Sequence, residues 1–364
     1  MEAGGPVGVF VESGLGLRRG RRKTEGVDMF AELLTVERSE VFRDLLASYP
    51  FKPYAEGALF SGKTRKETKN GKEPAKTWEE SLLSLLVASI GRAVESGGIA
   101  RVYCADKKVV GLCVTELDDW ASRVLGRRAA RVSHLMALGR PEVQTIIKQL
   151  ILSQTLRETP RGTVLVARVP YVDLSSINAL ERCGFTATQT SIVMARELEE
   201  SLPDSTPLGH YEIAAAGPDD VDEFDDAEFD INGGFLGWDA GLPCTVAARV
   251  HRDWLRVYAR ERRLLMARDH GEPVGLLAEC LKTETEPPLG FRVGSIDLVK
   301  TANSYRENGV ATDLISRGLA AFRGEGARLA ELTVDSMDVP LIRSCQSLGF
   351  MTVGSSLTLV NRRT

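Results

Sequence analysis

No apolar run in this chain approaches the roughly 20 residues that a helix needs to cross a bilayer, so a membrane-spanning protein is not expected. An excess of one charge is missing as well. With 46 basic against 50 acidic residues the net charge is −4 and the pI about 5.8, which favours neither nucleic acid nor an anionic membrane as partner. The six cysteines, Cys104, Cys113, Cys183, Cys244, Cys280 and Cys345, form no CxxC pair, so no metal site is predicted. Several fall inside apolar strand patterns, where a reduced thiol packs as a small hydrophobe, and a cytoplasmic location is the expectation. The opening "MEAGGPVGVFVESGLGLRRGRRKTEGVD" lacks the order of a signal peptide, because its basic residues follow the short apolar stretch. Residues 1–28 read as a disordered tail.

What is present suits a globular protein. At 364 residues, 43% hydrophobic and 26% charged, the chain is long enough for two domains with separate cores, and the ligand expected is a small molecule. One stretch advertises phosphate chemistry: "GALFSGKT", residues 57–64, fits the phosphate-loop pattern of nucleotide hydrolases. That loop works only between a buried strand and a helix. Here "YPFKPYAE" precedes it, with a proline and charges, and the nearly all-polar "RKETKNGKEPAKTW" follows it. The stretch reads instead as a solvated basic loop joining two helices.

A repeat is more informative. Residues 164–195, "VLVARVPYVDLSSINALERCGFTATQTSIVMA", correspond at a constant offset of 165 to residues 329–360, "LAELTVDSMDVPLIRSCQSLGFMTVGSSLTLV". Each copy predicts a strand, an aspartate (Asp173, Asp338), an amphipathic helix, a Gly-Phe pair and a strand pair. Upstream, "ARVYCADKKVVGLCVTEL" and "RLLMARDHGEPVGLLAECL" predict β-hairpins with Gly111 and Gly275 in matching places, each followed by a strand and a helix. The tandem unit is helices, hairpin, strand, helix, strand, helix, hairpin. The boundary falls in the proline-bearing stretch 199–210, giving domains at 29–198 and 211–364.

This order resembles the GNAT acyltransferase fold, and "YRENGVATDLI" is similar to that superfamily's acetyl-CoA signature. The fold class expected is therefore α/β, with α+β mixed sheets in two tandem GNAT-like domains. Physically, Arg306 to Ala311 joins a strand to a helix, so consecutive amides and the helix dipole favour an anion such as a pyrophosphate. Arg306 would add charge or buttress the turn. Glu307, Asn308, Gly309, Val310 and Ala311 are the loop residues expected to hold acetyl-CoA, with Gly309 allowing close approach. The resemblance also implies that the backbone of Leu298, Val299 and Lys300 pairs with the pantetheine arm. The first copy has Pro141, Glu142 and Val143 at the corresponding loop, and proline removes a donor, so the first domain reads as degenerate.

The resemblance further implies direct attack of an amine on the thioester, with an acid near the leaving thiolate. Asp338 stands where the superfamily has an asparagine, and either caps its helix or accepts from the cofactor. Cys345 replaces the usual acid, a tyrosine, and is either an acid or a packing residue. Glu279 and Asp297 are the candidate bases. His210, His251 and His270 read as surface residues. "LDDWASRVLGRRAARVSHL" and the segment from "FDDAEFD" to "YARERR" resemble the two-lobed acetyltransferases of dTDP-4-amino-4,6-dideoxygalactose, which implies an aminosugar acceptor near Phe235, Trp238 and Trp254. Peptide or antibiotic amines, or an acyl-CoA-binding module without turnover, are the other readings. The oligomeric state is not legible.

Overall fold

A computed structural model describes residues 9–11, 40–52, 54, 77–105, 108–198, 211–224, 229 and 244–362. The 57–64 stretch, the 199–210 linker, His210, Phe235 and Trp238 lie outside the described residues.

The chain forms two compact units. The first draws on Met1–Ala58, Arg65–Thr188 and, from the far end of the chain, Leu357–Thr364; the second contains Gln189–Ser356. Its elements in order are β1 (Val9–Val11), α1 (Glu40–Ser48), α2 (Trp78–Glu95), β2 (Ile99–Ala105), β3 (Lys108–Leu117), α3 (Asp119–Leu125), β4 (Ala129–Ala137), α4 (Pro141–Glu158), β5 (Val164–Pro170) and α5 (Leu174–Arg182). β6 (Thr186–Glu197) ends this half. The second half runs through β7 (Glu212–Ala215), α6 (Cys244–Arg260), β8 (Leu264–Asp269), β9 (Glu272–Lys282), α7 (Glu286–Leu289), β10 (Arg292–Thr301), α8 (Val310–Gly324), β11 (Ala327–Asp335), α9 (Val339–Ser347) and β12 (Met351–Arg362).

Four of the helices begin where the sequence supplies a side-chain cap. Thr77 and Glu80 form a reciprocal capping box at α2, while Asp118, Asp173 and Asp338 each accept a backbone amide at α3, α5 and α9. Central strands such as β9 carry a run of buried residues from Val274 to Glu279, as a strand covered on both faces requires. Within the first unit the strand order is β1-β2-β3-β4-β5, followed by the end of β12; within the second it is β6-β11-β10-β9-β8-β7. Helix α8 lays Leu314, Ile315, Leu319 and Phe322 on the second sheet, all 2% exposed or less. Burial of this kind contributes about 1.5–3 kcal/mol per side chain. Gly294 makes it possible, since a Cβ there would lie 2.3 Å from the Phe322 ring. Gly111 and Gly275 do the same job in the two units, leaving room for Ile147 and Ile151 of α4 and for Val310 and Leu314 of α8.

Three findings differ from the sequence-based expectation. Val9–Val11, inside the stretch expected to be disordered, pairs with β2 at Arg101–Tyr103. The strand pair expected after each Gly-Phe is one continuous 12-residue strand, in β12 even across Gly354, Ser355 and Ser356. The division also differs from the sequence halves. Residues 191–197 of β6 pair antiparallel with β11, and Met194 joins the core of the second unit, whereas Leu357 and Leu359 of β12 pack in the first. The two terminal strands have similar patterns, and a strand's pattern sets which face is buried without naming its neighbour.

Candidate active site

The turn expected to bind an anion lies between β10 and α8. After β10 a single 3₁₀ turn, Asn303–Tyr305, leads to Gly309 at φ +84°, from which α8 starts. Glu307 also sits in the left-handed region, at φ +65°, a conformation uncommon for a residue with a side chain. No side chain caps α8, so its first-turn amides are left to an external acceptor. Arg306, Glu307 and Asn308 are exposed, Val310 buries its side chain in the core, and Ala311 packs partly against it. These amides and the left-handed glycine fit a pyrophosphate.

The strand leading into the turn opens on one side. β10 pairs with β11 in parallel only as far as Ile296↔Leu332, while it continues with β9 to Thr301↔Gly275. Leu298, Val299 and Lys300 therefore pair with β9 beyond the point where the described pairing with β11 ends. The register with β9 slips between Ile296 and Leu298, leaving Asp297 as the extra residue of a β-bulge. A bulge re-aims its side chain, and here Asp297 points to α6.

Asp297 is held by two hydroxyl donors. Tyr258 Oη donates to Oδ2 at 2.6 Å, and Ser295 Oγ donates to Oδ1 at 2.6 Å. Burial and the adjacent carboxylate push the Tyr258 hydroxyl far above its ordinary range, so it remains a donor. Trp254 stacks obliquely on Tyr258 with ring centroids 4.3 Å apart, and Leu298 packs against the same cluster. Cys280 lies near this carboxylate, its thiol pushed up to about 12 by burial and then by Asp297. Tyr258 and Ser295 were not singled out in the sequence, although two signals were there: Tyr258 follows Trp254 by four on an amphipathic helix, and Ser295 precedes Asp297 by two on a strand.

The other candidate base, Glu279, faces the opposite helix. It is 3% exposed beneath α8, where a Cβ on Gly318 would lie 3.0 Å from its Oε2. Burial lifts its carboxyl to about 7, against the opposing pull of Arg263, whose nearest nitrogen is 3.8 Å away. Arg263 is itself engaged by Glu325 at 2.6 Å. Cys345 is fully buried in the core and its thiol is pushed up to about 12, first by burial and then by Asp338. Asp338 caps α9, accepting the Leu341 amide at 3.1 Å. His270 is exposed, whereas His251, expected at the surface, is 1% exposed. The amphipathic turn of α6 carries it inward.

The first unit carries the same framework without the opening. Its β4–β5 pairing also stops early, at Val132↔Ala167, and its bulge falls at Ser133. Here the corner is filled. Lys148 of α4, 1% exposed, places Nζ 3.0 Å from Asp173 Oδ1 and 2.7 Å from the hydroxyls of Ser175 and Ser176. Ser176 Oγ also lies 3.4 Å from the Leu135 carbonyl, on the unpaired part of β4. Burial lowers the Lys148 pKa while Asp173 resists the shift; burial likewise opposes ionisation of Asp173, but Lys148 and the serines outweigh it. Helix α4 starts with Pro141 and has no side-chain cap.

Comparison with known proteins agrees with this geometry. The model of the acetyltransferase (GNAT) family matches residues 236–350. Among solved structures the chain is similar to a GCN5-related N-acetyltransferase from Sphaerobacter thermophilus, with 13% identity, a TM-score of 0.51, and coverage of 80% of this chain and 87% of that one. It is also similar, with 13% identity and a TM-score of 0.51, to a fungal multi-domain GH3 beta-N-acetylglucosaminidase containing a GCN5-related glucosamine N-acetyltransferase region. That match covers 98% of this chain and 38% of the fungal one. A tandem GNAT protein from the clavulanic acid biosynthesis pathway matches with 14% identity and a TM-score of 0.45, over 81% of this chain and 91% of that one. No curated protein matches in sequence. At these identities the likeness to solved structures is one of fold.

Proposed function

We infer that the GNAT-type N-acetyltransferase in the second half of this chain moves an acetyl group from acetyl-CoA to the primary amine of a small molecule at a single site. The observation that carries this reading is Asp297. It stands on a bulge where β10 loses its second partner strand, between two hydroxyl donors, one of them the Tyr258 that Trp254 stacks on, and thirteen residues before the uncapped start of α8. The amides of Gly309, Val310 and Ala311, with Arg306, would hold the pyrophosphate, and the backbone of Leu298 to Lys300 would take the pantetheine arm. Acetyl-CoA supplies an acyl carbon activated by its thioester.

Asp297 draws the ammonium form of the acceptor to this point. The ammonium loses one proton to solvent, which frees the lone pair for attack. As the amine nitrogen bonds to the acyl carbon, the carbon–sulfur electron pair leaves on sulfur; the nitrogen becomes strongly acidic, Asp297 takes its second proton, and the thiolate is protonated from solvent. Tyr258 and Ser295 keep the carboxylate aimed, and Trp254 offers an aromatic wall to the acceptor. Glu279 faces the other side of the sheet and is given no role in proton transfer. Cys345 is a packing residue. The resemblance of the segments around Trp120 and Trp254 to nucleotide-aminosugar acetyltransferases makes an aminosugar the acceptor class we favour, in the cytoplasm.

The test is release of free CoA from acetyl-CoA across a panel of aminosugars, peptides and antibiotic amines. An aminosugar is expected to give turnover, and Asp297→Asn to reduce it about 100-fold or more while acetyl-CoA still binds. Binding without turnover on any amine would favour a non-catalytic acyl-CoA module instead.

A further inference from the structure

Tyr211, immediately before β7, reaches the phosphate-binding turn: its hydroxyl donates to the Asn308 carbonyl at 3.1 Å. That carbonyl and the Gly309 amide belong to one trans peptide, whose C=O and N–H point in opposite directions. Holding the carbonyl toward Tyr211 therefore turns the Gly309 N–H away from it, toward the first-turn amides of α8. The peptide needs such a restraint. Gly309 on its far side is left-handed at φ +84°, as is Glu307 one residue before Asn308 at φ +65°, and a peptide bordered by glycine flips at little steric cost. Tyr211 is itself braced, with its ring edge-on to Tyr305 at 6.4 Å between centroids. The Tyr305 hydroxyl donates to Asp269 Oδ2 on β8 at 2.9 Å. A two-tyrosine bracket thus ties the turn to the sheet.

We propose that Tyr211 is a positioning residue for acetyl-CoA, fixing the Asn308–Gly309 peptide so that its N–H faces the pyrophosphate. This rests on the reading of residues 306–311 as the pyrophosphate cradle. It also assigns a ligand-binding task to Tyr211, outside the recognised loop.

The experiment compares the wild-type chain with Tyr211→Phe, which keeps the ring and removes only the donor. Acetyl-CoA affinity is measured by calorimetry, thermal unfolding by calorimetric scan, and amide exchange over residues 306–311 with and without saturating acetyl-CoA. The expectation is an affinity about three- to tenfold weaker, as loss of one hydrogen bond implies. The unfolding midpoint should stay unchanged, and ligand-induced protection of this segment should fall even at saturation. Equal affinity and equal protection in the two proteins would overturn this inference and leave the proposed function standing. A lowered midpoint with undiminished protection would show a merely structural residue and also overturn it. A wild-type chain that binds no acetyl-CoA would overturn both.

Discussion

The two units share a frame and differ in one corner. Both have the strand that loses its partner, the bulge at that point, and a glycine that lets the next helix approach. In the first unit the corner holds Lys148, Asp173, Ser175 and Ser176 bonded to one another. Gly111 faces Ile147 and Ile151 as Gly275 faces Val310 and Leu314, so Lys148 corresponds to Ala311 of the second unit, while Asp173, Ser175 and Ser176 correspond to Asp338, Pro340 and Leu341. Alanine offers Asp338 no cation, and the side chains of proline and leucine cannot donate to the strand's carbonyls. One corner is filled by its own side chains, and on our proposal the other takes a ligand, so that a few side chains would decide which copy of the fold carries a site.

The comparison can be broken most forcefully at the seal. Lys148→Met should destabilise the first unit by about 3–5 kcal/mol, because it strands Asp173 without its cation. The double variant Lys148→Met with Asp173→Leu should recover much of that loss. Denaturant melts of the three proteins check this, and equal stability of the single and double variants would mean the pair is not what fills the corner. At the other unit, Gly309→Glu places a carboxylate and a Cβ in the anion-binding turn and should weaken acetyl-CoA binding about 100-fold or more. Pro141→Gly in the first unit should create no second site. Transplanting the seal with Ala311→Lys and Leu341→Ser should cost the second unit about tenfold in acetyl-CoA affinity, roughly 1.4 kcal/mol.

The smallest expected effect concerns Glu279, which has no counterpart of like charge in the first unit, where Thr115 stands at the matching register. Its folded pKa, near 7, is raised above the unfolded value, so the folded state holds a proton that the unfolded state has released. That makes stability fall as pH rises from about 4.5 through 7. Glu279→Gln should remove this slope and stabilise the protein above pH 7 by about 1 kcal/mol, with little change at pH 5. Melting curves at pH 5 and pH 8 that shift equally would contradict the assignment.

Much of this was legible in the chain. The 165-residue repeat located the helices and the hairpins, and Arg306 to Ala311 marked the turn from β10 into α8, because both depend on local pattern. The partners of β6 and β12 were not legible, since the two strands carry similar patterns and pairing is a long-range choice. Nor was the separation of Glu279 from Asp297. Alternation along a strand assigns faces only until a bulge shifts it, and the slip at Asp297 is what turns that side chain toward Tyr258. Lys148 could have been noticed as a lone charge within "IIKQLIL", although only the structure joins it to Asp173.

The central claim is that one unit of the pair binds and the other is closed. Calorimetric titration of the full chain with acetyl-CoA tests it most directly. The account predicts one equivalent bound per chain, with that binding abolished by Gly309→Glu; two equal sites, or none, would contradict it.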